Sequence, residues 1–223
     1  MNLIAKLSVV CAFVLLVSGC ATSRSVVAVD QGLGIGNPQQ GEAVRIAKVS
    51  DERKFTLSPP QADIPSLSEN DIGNPAITSR AIGRKRGGFG KALGDVLLPP
   101  EQTVSSLMRD AASAGFRKAG FRVLDESDSG YDQAIPIEVT VREFWSWFSP
   151  GFASVKATNR GELWLQGHLP AISNGAVVHG GGVVSGGAIF ESDWQKVAAM
   201  GVQSLADNTA AVLTGRPQAM PVP

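Results

Sequence analysis

Of the residues in this 223-residue chain that could do chemistry, Cys20 has the most specific setting. It follows Val17-Ser18-Gly19, which closes a short apolar run from Leu7 to Val17 led by Lys6. A run of that length suits the h-region of a signal peptide and falls short of the about 20 residues needed to cross a bilayer core. Small residues at Ser18 and Gly19 suit cleavage between Gly19 and Cys20, which would make the cysteine a new N-terminus. Its thiolate could then be alkylated by a lipid. A plain secretory signal with a chance cysteine is the alternative, but position, hydrophobic length and small residues agree on lipidation.

The remaining candidates are weaker. Cys11 lies within the signal and would leave with it, so the chain from Cys20 onward has no disulfide and no cysteine for a metal site. His168 and His179 are its histidines, and neither sits in a His-Glu-x-x-His setting. No Gly-x-Ser-x-Gly elbow occurs. No metal, cofactor or catalytic group is therefore expected. Glu138 and Glu143 could form a glycosidase pair, although their sequence spacing does not itself argue for one. Arg84, Lys85, Arg86 and Lys91 lie among glycines and invite a phosphate-cradle reading. The P-loop pattern fails, because position 85 is Lys and Ala92 follows Lys91. These cations are instead candidate contacts for lipid headgroups or an acidic partner; a solvated flexible loop is the bland reading. Gly32, Gly34 and Gly36 have the wrong spacing for a dinucleotide fingerprint. Trp145, Trp147, Phe148 and Phe152 crowd one hairpin end, and Trp164 could approach from the next strand. Exposed, they form a contact patch for a protein, glycan or lipid; buried, they are the wide end of the core.

Composition narrows the classes. Formal net charge is zero, which gives no electrostatic case for nucleic acid. A hydrophobic content of 43% is sufficient for a packed core.

The elements that must position these residues follow from periodicity. Ser25 to Asp30 and Ala43 to Val49 read as strands, with Ser50 to Lys54 a solvated charged turn carrying an Asp51–Arg53 or Glu52–Lys54 contact. Phe55 to Pro100 is proline-rich and irregular, a long excursion for a compact domain. Glu101 to Ala119 is a helix with Thr103 as N-cap and Gly120 just past its end. Phe121 to Leu124 is a short strand. Ile135 to Phe148 alternates cleanly until Glu143, where a bulge or twist is expected. Gly161 to Leu169 and the glycine-laden Ala176 to Phe190 are further strands, the glycines implying a bulge or close approach of another backbone. A last helix starts at Ser192 or Asp193 and ends near Gly215. The order predicts an α+β two-layer sandwich: a mostly antiparallel sheet with two helices packed on one face. Residues 1–19 are the signal peptide, 20–24 the lipidated N-terminus and short tether, and 25–214 a single α+β domain with a long irregular loop at about 55–100. Residues 215–223 are expected to be a disordered tail.

Val17 to Cys20 resembles the lipobox of bacterial lipoproteins, in which the cysteine receives a diacylglyceryl group on sulfur and usually an acyl group on its amine. Two or more chains make a stable anchor where one is marginal. Ala21, where an inner-membrane lipoprotein would tend to carry Asp, implies the outer membrane and its periplasmic face. The lipobox, the strand ending Val49-Ser50-Asp51-Glu52-Arg53, the helix into Gly120-Phe121-Arg122-Val123 and the strand Ile137 to Phe144 together resemble the YajG-type family of bacterial lipoproteins. The chain departs from that pattern in its Phe55 to Pro100 insertion and tryptophan-rich hairpin. The resemblance implies location and fold more than activity; with no catalytic motif in the chain, a non-catalytic, lipid-anchored interaction or accessory module of the cell envelope is expected. It would be held to the membrane through Cys20 and would bind an envelope protein or lipid. An envelope enzyme acting on cell-wall glycan is the alternative.

Overall fold

The computed structural model describes residues 24–219, except 31, 35, 39, 88, 89, 152 and 153. Gly19 and Cys20 therefore lie outside the described residues, as does Phe152. The strands are β1 (Ser25–Val26), β2 (Ala43–Asp51), β3 (Ala81–Arg86), β4 (Ala92–Leu97), β5 (Arg122–Val123), β6 (Ile135–Pro150), β7 (Val155–Gly167) and β8 (Ala176–Gly186). The helices are α1 (Glu69–Ile72), α2 (Pro75–Thr78), α3 (Val104–Lys118) and α4 (Glu191–Leu213). Together they form an α+β sandwich with an eight-stranded mixed sheet.

β6 organises the sheet. β7 pairs antiparallel along one of its edges from Ile137 to Pro150, and β8 pairs antiparallel beyond β7. Two strands share its other edge. β2 runs parallel to β6 from Ile135 to Val141, and β3 takes over, also parallel, at Ser146. β5 extends the sheet beyond β2, while β4 and then β1 extend it beyond β3. Alternation explains the first half of β6: Ile137, Val139 and Val141 are buried, while Glu138 and Arg142 face solvent. Leu163 is opposite Val141, but Glu162 is opposite Glu143, so Arg142 is the extra residue of a bulge. Past it the pattern resumes one residue out of step. Phe144, Ser146 and Phe148 now face the helices, and Trp145 and Trp147 face away.

α3 and α4 cover the first face. Thr103 caps α3 as expected: its hydroxyl accepts from the Ser106 amide at 3.1 Å, and Ser106 Oγ accepts from the Thr103 amide at 3.0 Å. α4 starts earlier than expected, with the Asp193 carboxylate accepting the Phe190 amide at 2.8 Å. Its end is a Schellman turn, in which Gly215 adopts a φ of 65° and the Arg216 amide reaches Ala211 O. Gly161 of β7 and Gly180 and Gly182 of β8 are where α4 approaches. A Cβ on Gly180 would lie 2.6 Å from Leu205 Cγ, and one on Gly182 would lie 2.5 Å from Met200 Cβ.

The irregular loop expected at 55–100 is corrected. Its second half is the β3–β4 hairpin, a sheet component whose pairing is long-range and whose Ile82-Gly83-Arg84-Lys85-Arg86 sequence lacks alternation. Its first half, with α1 and α2, covers the second face of the sheet over the far half of β6. There Leu67, Ala81, Leu97 and Trp145 form a separate buried cluster, joined by Phe55, Ile72, Ile77 and Trp147. The two-layer sandwich thus gains a partial third layer. The tail is corrected as far as residue 219. Gln218 accepts from the His179 amide at 2.9 Å and donates to Val177 O at 2.8 Å, docking the tail on the β8 edge. Asn208 pairs with the Ala219 amide and carbonyl.

Candidate functional site: an apolar cleft with a cationic rim

The hairpin ends of β3–β4 and β6–β7 meet the start of α4 around a cleft of about 510 Å³. That volume lies within the range of small-ligand sites, about 300–1,000 Å³. Each wall has a local cause. The bulge in β6 turns Phe148 toward the helix side, and Val155 stands opposite Pro150 at the start of β7. Leu93 comes from β4. β8 stops at Gly186 rather than at Phe190, so Ala188 and Ile189 leave the sheet and line the cleft before Trp194 on the first turn of α4. Lys85, Arg86 and Glu191 supply its charged lining.

The cations differ in how they are held. Arg84 Nε lies 3.4 Å from Asp95 Oδ1, which makes it a structural ion pair. Arg86 donates to Pro59 O and to Ser66 Oγ, both neutral acceptors. Burial and the like charge of Arg84 push its guanidinium down from its ordinary value. No carboxylate offsets this among the ion pairs of the described residues. Lys91 is exposed in the turn between β3 and β4. Glu191 accepts a hydrogen bond from the Ser25 hydroxyl, which ties the start of the described chain to the cleft. Arg24, one residue earlier, bonds Asp71 at 2.7 Å and Asp95 at 3.2 Å. Phe190 and Val26, the neighbours of Glu191 and Ser25, are 67% and 54% exposed.

The expected aromatic patch is divided by the fold. Trp145 is fully buried under the third layer, its Nε1 donating to Ala62 O at 3.3 Å and its ring set edge-on to Phe55, so it is core and not a contact residue. Trp147 is half-buried beneath the Arg160 guanidinium, 5.2 Å away. Phe148 alone of the group reaches the cleft. Trp164 does not join them. It lies opposite Thr140, while Arg160 lies opposite Trp145, a separation of roughly 13 Å along the strand. Arg142 covers its ring at 4.6 Å, and the indole packs on Gly175. Phe148, Lys85 and Arg86 are thus the expected site residues that the structure brings together. Leu93, Val155, Ile189 and Trp194 were missed. The available signal is the apolar Ala188-Ile189-Phe190 run before a helix start, which by its pattern reads as a continuation of the preceding strand.

Glu143 is bound by Arg160, Oε1 to Nη2 at 2.8 Å, and this hydrogen bond raises the guanidinium further above its ordinary value. Glu138 lies roughly 15 Å away along β6, beyond the about 5–9.5 Å of glycosidase carboxylate pairs. Among the described residues no three His, Cys, Asp or Glu side chains group as metal ligands, and no helix is long and apolar enough to cross a membrane.

No family model and no curated protein matches the chain. Solved structures similar to it include the following two. One is a crystal structure of a Xanthomonas campestris protein assigned to the DUF330 family, with 13% identity and a TM-score of 0.42, covering 86% of this chain and 95% of that one. The other is a crystal structure of an uncharacterized protein, with 11% identity and a TM-score of 0.34, covering 79% and 99%. Likeness at this level carries no argument about function.

Proposed function

We propose that the chain is a lipid-anchored lipoprotein on the periplasmic face of the outer membrane. It acts there as a non-catalytic interaction or accessory module for an envelope protein or lipid. The YajG-type resemblance of its sequence supports this reading, and so does the Val17–Cys20 motif. The observation that carries it joins sequence to geometry. Arg24 and Ser25 are fastened to Asp71, Asp95 and Glu191 only four and five residues after Cys20. A lipid on Cys20 would therefore hold the cleft end of the sheet near the bilayer. Glu138 and Glu143 do not converge, so the glycan-cleaving alternative draws no support from the site.

The test pairs fractionation with crosslinking in cells. Cys20→Ser should abolish labelling by a lipid precursor and release the chain from outer-membrane fractions. Crosslinked pull-down of the lipidated chain should recover envelope components. Unchanged labelling in Cys20→Ser would overturn the anchor. Glycan-cleaving activity that depends on Glu138 or Glu143 would overturn the non-catalytic assignment.

A further inference from the structure

We propose that the apolar cleft seats one acyl chain carried by Cys20 of the same molecule, while the rest of that lipid stays in the bilayer. The inference deepens the lipoprotein reading and rests on it for the lipid. Three observations converge. The first is the lining. Leu93, Phe148, Val155, Ile189 and Trp194 wall the cleft with apolar side chains. Moving from bilayer to such walls is nearly neutral for a hydrocarbon chain, while the walls lose their contact with water, so the move is favourable.

The second is direction. β1 runs parallel to β4, with Ser25 opposite Val96 and Val26 opposite Leu97. The backbone therefore enters β1 from the Leu93 end of β4, and Arg24 keeps to that line by bonding Asp95 at 3.2 Å. Ser25 itself bonds Glu191 at the cleft. Leu93 lies roughly 10 Å from Val96 along the strand, and the five residues from Cys20 to Ser25 reach at most roughly 18 Å. Cys20 is thus within range of the cleft. Exposed Val26 and Phe190 flank the Ser25–Glu191 bond and suit the headgroup boundary, so a chain passes from bilayer to cleft with little exposure to water.

The third is charge. Arg86 is bonded to Pro59 O and Ser66 Oγ, Lys85 has a partner of its own, and Glu191 brings an acid to the lining. Nothing there selects a charged headgroup, and an acyl chain brings no charge. Its covalent tether removes the translational cost that a free phospholipid or an apolar metabolite would meet, and supplies the chain at high effective concentration.

The test uses the lipidated full chain from cells fed a fatty acid with a terminal diazirine, which enters the Cys20 lipid and the bulk phospholipid alike. Membranes are irradiated and the crosslinked peptides identified by mass. Adducts should join the Cys20 peptide to peptides holding Leu93, Phe148 or Ile189. In vesicles reconstituted from light and heavy isotope-labelled protein, both halves of each adduct should carry the same label. Leu93→Trp and Val155→Trp, each filling the cleft, should reduce these adducts about tenfold; thermal unfolding identifies a variant that stays folded, and the wild-type map decides the question if neither does. Cleft adducts carried only by phospholipid, adducts joining different labels, or adducts that persist with the cleft filled overturn the proposal. A lipidated Cys20 whose adducts fall outside the cleft overturns it and leaves the anchor standing. A Cys20 without lipid overturns the anchor and the proposal together.

Discussion

Arg53 is charged yet its side chain is 1% exposed. It sits where β2 leaves the edge of β6 and before β3 arrives, a gap in the ladder that strands carbonyls. Its guanidinium forks onto Asp51, with both bonds at 2.8 Å. It also donates to Ala81 O, Phe144 O and Thr78 O. One side chain thus closes the backbone hydrogen bonding that two sheet segments leave open. The charged Ser50–Lys54 stretch reads in sequence as a solvated turn. The Asp51–Arg53 contact within it is present, but the setting is interior. Arg53→Ala leaves Asp51 and three carbonyls without their donor and should cost about 3–5 kcal/mol. Arg53→Lys should recover only a small part, because an ammonium cannot reproduce the planar fork. Urea unfolding of the three proteins checks both statements. A loss below about 1 kcal/mol in Arg53→Ala would contradict the assigned role.

At the scale of elements, α4 and the tail after it carry two predictions. Gly201 faces the sheet, and a Cβ there would lie 1.9 Å from Asn159 Oδ1. Asn159 is buried and donates to Ser146 Oγ at 2.9 Å, so it has little freedom to move aside. Alanine is the better helix former by about 1 kcal/mol, yet Gly201→Ala should lower stability by about 1–3 kcal/mol through overpacking. Asn159→Ala added to it should restore part of the loss in thermal unfolding. The second prediction concerns the outer edge of β8, which pairs with β7 alone and is capped by Gln218. Ending the chain at Pro217 frees the His179 amide and Val177 carbonyl, a template for strand addition. Faster amide exchange at His179 and concentration-dependent self-association in light scattering are expected. A truncated chain that stays monomeric at the same concentrations argues against an edge-capping role.

For the molecule as a whole, the decisive relation is between its first described residues and the cleft. Asp71 latches Arg24, and its carboxyl is held below the usual range by the Ser68 hydroxyl and then by Arg24. A carboxyl depressed by folding stabilises the folded state in full above its ordinary value of 3.8, and that contribution is lost as pH falls through the lower folded value. Asp71→Asn should therefore be less stable than wild type near neutral pH. The gap between their urea midpoints should close as the medium is acidified below 3.8. A gap that stays constant through strong acid would show that the latch is not electrostatic. Because the Arg24 side chain is 40% exposed, the pair is open to solvent, its effect is small and it is reduced by salt.

Local pattern alone was enough for α3 with its Thr103 cap, the alternating first half of β6 and the break in that alternation before Glu143, and the α+β sandwich class. Each rests on a period or a cap that neighbouring residues carry among themselves. Tertiary structure decided what depends on distant partners. β3 is a strand because β4 and β6 accept its backbone, although its Gly-Arg-Lys-Arg sequence resembles a solvated loop. Trp145 is core because residues 52–80 fold over it. Phe148 reaches the cleft because one inserted residue, Arg142, shifts every later side chain to the other face. Side-chain direction in a strand alternates with period two, so a single bulge reassigns an aromatic run, and the register across the sheet determines which residues meet.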